Sequence, residues 1–124
     1  MTTEELKERF RKFSISIVKL VNIMPNNIAG NAIARQIIRS GTSPAANYRA
    51  ACLAKSPKDF LNKLKMVEEE IDETEHWLGL IMDTELLPHT KVEFLYDESV
   101  ALKRIIVRSI TTIKQTIDAQ ERPE

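Results

Sequence analysis

Apolar side chains recur along much of this 124-residue chain at alternating steps of three and four residues, and that period belongs to the α-helix. The first seam is Leu6, Phe10, Phe13, Ile17, Leu20 and Met24; a second runs Phe60, Leu64, Val67, Ile71, Thr74, Leu78 and Met82. A third carries Val92, Leu95, Leu102, Ile106, Ile110, Ile113 and Ile117 towards a polar end at Arg122-Pro123-Glu124. No stretch alternates with the period of two that a half-buried strand requires.

Local chemistry punctuates these seams. Thr2 and Glu5 have capping-box spacing, and Pro25-Asn26-Asn27 closes the first helix. Ser56-Pro57-Lys58-Asp59 opens another, with serine as N-cap, proline in the first turn and an acid at the third position. Leu86-Leu87-Pro88 breaks the chain before the last segment. A further helix, from about Ile28 to about Ala54, is rich in alanine, glycine and serine, which suits close approach of a neighbour.

The run RSGTSPAAN, Arg39 to Asn47, interrupts that helix. Pro44 lacks the N–H that would bond the Ser40 carbonyl, and its ring crowds that carbonyl. Gly41 relieves the crowding, and the hydroxyls of Ser40, Thr42 and Ser43 offer partners to freed polar groups. Local chemistry allows either one kinked helix or two helices with Ser43 as a fresh N-cap. Short connections between rods of roughly 30–40 Å favour an all-α, up-down-up-down antiparallel four-helix bundle occupying 1–124 as a single domain.

Composition excludes some classes. Apolar residues make up 43% and charged residues 29%, a balance that suits a folded domain rather than a disordered chain. No apolar run approaches the roughly 18–20 residues that span a bilayer, and MTTEELKERF lacks the apolar stretch of a signal peptide. The single cysteine, Cys52, cannot close an internal disulfide, so a cytoplasmic setting is expected, with Cys52 as a small packing residue.

The zero net charge conceals two opposed blocks. From Arg9 to Lys58 there are nine basic residues and no acid; from Met66 to Thr90 there are eight acids and no lysine or arginine. Such a split suits either a phosphate-binding surface or charges that meet within an assembly.

RSGTSPAANYRAA followed by SPKDFLNKLKMVEEEIDETEHWLGL resembles the signature of the four-helix-bundle family of 23S rRNA intervening sequence proteins. The residues that carry the resemblance are Arg39, Ser40, Thr42, Ser43, Ala46, Asn47, Ala51, Ser56, Asp59, Phe60, Lys63, Lys65, Glu73, Thr74, Trp77 and Leu78. The chain departs from the family pattern at Ala50, usually glutamate, and at Pro44 and Ala45, often isoleucine and glycine. The resemblance implies that the second helix is one helix kinked near Gly41–Pro44. It also implies a ring-shaped homopentamer. A related branch, the accessory variability determinant of diversity-generating retroelements, binds nucleic acid through a basic surface. Those members are strongly basic, whereas this chain is neutral.

Catalytic motifs are sparse. Glu73-x-x-His76 has the spacing of a di-iron ligand pair, but such centres need a second pair and two more glutamates from other helices. No phosphate-binding glycine loop or Cys/His metal spacing occurs, so neither enzymatic activity nor a cofactor is expected. Nucleic-acid contact, if present, falls to Arg35, Arg39, Arg49, Lys55, Lys58, Lys63 and Lys65. A homo-oligomeric assembly is the favoured reading. Ile15, Val18, Phe94 and Ile105, off the core seams, are its expected interface, with the basic block of one subunit meeting Glu68–Glu75 of the next. Asn47 is expected as a buried, hydrogen-bonded amide and Ala46 at a close helix contact.

Overall fold

The computed structural model describes residues 1–122; Pro123 and Glu124, part of the polar end noted above, lie outside the described residues. Four helices follow one another: α1 (Thr3–Asn22), α2 (Ile28–Cys52), α3 (Pro57–Asp83) and α4 (His89–Glu121). Among the described residues there is no strand. The 33 residues of α4 exceed the expected helix length, because nothing between Pro88 and Glu121 breaks the helix.

The sequence signals for helix starts operate as read. Thr2 Oγ1 accepts from the Glu5 N–H at 3.1 Å, and Ser56 Oγ accepts from the Asp59 N–H at 3.1 Å. Asp59 in turn accepts from the Lys55 N–H and from Lys63 Nζ, which lowers its carboxyl pKa. Asn27, read from the sequence only as part of the stop that closes α1, also caps α2, its Oδ1 accepting from the Gly30 N–H at 2.7 Å.

Helix α3 ends in a Schellman motif. The Leu86 N–H bonds the Ile81 carbonyl at 3.1 Å and the Glu85 N–H bonds the Met82 carbonyl at 3.1 Å. The position between cap and return belongs to Glu85, whose φ of 56° is left-handed and costs a side-chain-bearing residue about 1 kcal/mol. Glu85→Gly is therefore expected to raise stability by about 0.5–1 kcal/mol, read as a higher urea midpoint at unchanged slope.

Helix α2 passes through Pro44 unbroken. The hydroxyls do not serve the Ser40 carbonyl as expected. Thr42 Oγ1 donates to the Ile38 carbonyl and Ser43 Oγ to the Arg39 carbonyl, each at 2.6 Å, while Ser40 Oγ turns inward. Back-bonding of this kind loosens the helix ahead of the proline.

The core is built from the predicted seams: Leu6, Phe10, Phe13, Ile17 and Leu20 meet Ile37, Leu64, Ile71, Leu78, Leu102 and Ile106 in one buried cluster. Met24, Phe60, Met82 and Ile113, expected in the seams, are only half-buried at its ends. The pairs α1–α2, α2–α3 and α3–α4 pack along their lengths, whereas α1 and α4 meet over a much narrower seam. Arg9 bridges that seam, its Nε and Nη2 donating to the two Glu98 oxygens at 2.8 and 2.6 Å.

Candidate functional site

The α2–α3 contact gathers the residues of the resemblance. Arg39 donates to Glu73 at 2.5 Å and to Glu70 at 3.1 Å, and Trp77 Nε1 donates to Glu73 at 3.0 Å. Beneath them, fully buried Ser40 and Thr74 hold their hydroxyls 3.0 Å apart, and Thr74 also donates to the Glu70 carbonyl. Burial alone would raise the pKa of Glu73, but hydrogen bonds from Trp77 and Arg39 outweigh it and hold the carboxyl below its ordinary value. The RS and ETxxW pieces are thus two halves of one inter-helix latch. Glu73 is committed to that latch, and His76 rests on the Trp77 ring with centroids 4.9 Å apart. Among the described residues no three His, Cys, Asp or Glu side chains gather as metal ligands would.

Pairing within the chain redistributes the charge blocks. Besides Arg39, Lys103 of α4 meets Glu75 and Asp72, and Lys58 meets Glu121. Of the acids Glu68–Glu75 expected to meet a neighbouring subunit, Glu70, Asp72, Glu73 and Glu75 have partners in their own chain, and Glu68 and Glu69 have none among the described residues. Antiparallel packing places α3 between α2 and α4, so its acids lie beside cations from both. Of the expected nucleic-acid residues, Arg39, Lys58 and Lys63 are in ion pairs, and Arg35, Arg49, Lys55 and Lys65 are exposed without one among the described residues. Arg35, Arg39 and Arg49 lie on the outward face of α2, and the lysines surround the start of α3.

The small-residue expectations also shift. Asn47 is half-buried and its amide has no hydrogen-bond partner among the described residues, so it is not a satisfied buried amide. Ala46 is exposed at the rim of a groove. A close approach to α1 lies instead at Gly41, where a Cβ would stand 2.7 and 2.8 Å from Ile17 side-chain carbons. Ala46 shares the outward face of α2 with Arg35 and Arg49, whereas Gly41 faces α1.

The expected interface residues divide. Phe94 is 76% exposed, Ile15 43% and Val18 41%. Ile105 is half-buried and packs against its own core, as do Trp77, Leu80 and Tyr96. Phe94 and Ile15 line a cleft of about 380 Å³ between α4 and α1. Ile15 and Val18 also line a groove of about 540 Å³ between α1 and α2, with Thr42, Ala45 and Ala46 opposite. In that groove Ser14 Oγ is the one buried side-chain polar atom without a partner among the described residues. Sequence reasoning missed Ile28 and Leu53, both strongly exposed at the two ends of the outward face of α2. Their position on the Arg35–Arg49 stripe was the available signal.

The family model for 23S rRNA-intervening sequence proteins matches residues 4–108. A solved structure from Bacteroides thetaiotaomicron, described as a protein of unknown function from the S23 ribosomal protein family, superposes with a TM-score of 0.82 at 33% identity, covering 90% of this chain and 99% of its own. No curated protein matches. No helix among the described residues is long and apolar enough to cross a membrane.

Proposed function

Because this chain belongs to the family of 23S rRNA-intervening sequence proteins, we propose that it acts as a non-enzymatic assembly module, a homo-oligomeric ring of four-helix bundles and most simply a pentamer. The observation that carries the reading is Phe94. A phenylalanine that is 76% exposed, flanked across a cleft by half-exposed Ile15, is apolar surface beyond what a filled core needs. Burial of such a side chain contributes about 1.5–3 kcal/mol at each interface, to which the neighbouring apolar and charged groups would add. A cytoplasmic setting accords with the lone thiol Cys52.

Light scattering at micromolar concentration tests this. The expected mass is five chains of 14.2 kDa, and Phe94→Asp is expected to shift it towards one chain while leaving the helical signal intact. A parent protein with the mass of a single chain would end the proposal.

A second reading, RNA or DNA binding, is favoured by one observation: Arg35, Arg49, Lys55 and Lys65 are exposed cations outside any ion pair among the described residues. Phosphate contacts of that kind weaken steeply between roughly 50 and 200 mM salt. Micromolar RNA binding that persists near 150 mM salt, and is lost when these four become alanine with the mass unchanged, would place this reading first.

A further inference from the structure

Two surface stripes match each other along their length. On α1, Glu4, Glu8, Arg11, Ile15 and Val18 follow steps of 4, 3, 4 and 3 and border the α1–α2 groove. On α4, Phe94, Asp97, Ala101, Arg104 and Arg108 follow steps of 3, 4, 3 and 4 and form one outward stripe of equal length. Apart from half-buried Ala101, all of these residues are exposed. Among the described residues Glu8, Arg11, Asp97, Arg104 and Arg108 have no ion-pair partner, and Glu4 meets only Lys7 on its own helix.

We propose that the α4 edge of a second copy of this chain, centred on Phe94, docks in the α1–α2 groove antiparallel to α1. This rests on the assembly reading above and names the two faces that meet. Laid antiparallel, Phe94 falls against Val18, Asp97 against Ile15 within diagonal reach of Arg11, Ala101 against Arg11, and Arg104 and Arg108 against Glu8 and Glu4. Ala101 leaves room for the Arg11 side chain. The parallel alternative sets Glu8 against Asp97 and places Ile15 and Val18 under two arginines. That alternative sets like charges together and leaves Phe94 against Glu4, with no apolar contact, so the pattern favours one direction as well as one partner.

The floor of the groove suits this occupant. Thr42, Ala45 and Ala46 are small, and the volume of about 540 Å³ accommodates an aromatic ring. Asp97 brings an acceptor towards Ser14 Oγ, the hydroxyl left unpartnered in the isolated chain.

Direction has a consequence for symmetry. Within one subunit α1 and α4 are antiparallel, since Arg9 meets Glu98 while Leu6, near the start of α1, shares a cleft with Ile105 further along α4. An α4 docked antiparallel to α1 of the next subunit therefore runs parallel to that subunit's own α4. The subunits point the same way and present unlike faces, as a rotational ring requires and a twofold dimer does not.

Charge exchange with the full-length chain tests the docking. Arg11→Asp and Asp97→Arg, both at exposed positions, are each expected to weaken assembly about tenfold by concentration-dependent light scattering. The double variant, in which the pair is reversed, is expected to regain most of the loss; circular dichroism checks that all three remain folded. A parent that assembles while both single variants assemble equally well would overturn this docking and leave the assembly reading standing. So would singles that weaken without recovery in the double. A monomeric parent would instead remove the assembly reading itself.

Discussion

Gly41→Ala is expected to destabilise the bundle by about 1–3 kcal/mol, although alanine is the better helix former by roughly 1 kcal/mol. The added Cβ would stand 2.7 Å from one Ile17 carbon and 2.8 Å from another, and Ile17 is fully buried, with nowhere to turn. Ile17→Ala alone is expected to cost about 2–5 kcal/mol through the cavity it leaves. The two changes act on one space, so the double variant should lose less than the sum by at least 0.5 kcal/mol. Urea unfolding of the four proteins gives the coupling. Additive losses would mean that the helices separate rather than clash.

Stability is expected to fall by about 2–3 kcal/mol between pH 10 and pH 12 because of one phenol. Tyr48 is buried against Phe10, ring centroids 5.2 Å apart, and burial, followed by the nearby Cys52 thiol, pushes its pKa up to about 12. The sign follows from proton counts. Between pH 10 and pH 12 the unfolded chain gives up the phenolic proton while the folded chain keeps it, so rising pH favours unfolding. The contribution is complete below pH 10 and lost as pH rises through 12. Other groups titrate in the same range, so the measurement is the difference from Tyr48→Phe, whose alkaline limb should be flatter. Parallel limbs would mean that the Tyr48 hydroxyl reaches water in the folded chain.

Helix number, helix starts and core faces were legible in the sequence because each depends on short-range rules. Thr2 and Ser56 cap within three residues, and the steps in Leu6–Leu20 or Leu64–Leu78 need only the helical period to show which side is buried. The pairing of charges was not legible. Arg39 and Glu73 are 34 positions apart, Lys103 and Glu75 are 28 apart, and either cation could have reached solvent, a phosphate or another subunit. The same limit applied to Asn47, Ala46 and Gly41, three neighbours in one small-residue run. The helical period sets them on different sides of α2, but only the position of α1 decides that Gly41 is the contact and Ala46 the rim of a groove. Periodicity determined which residues turn inward. Packing of α1, α2, α3 and α4 against one another decided which polar and apolar groups were left without a partner, because that depends on distances between segments remote in the chain.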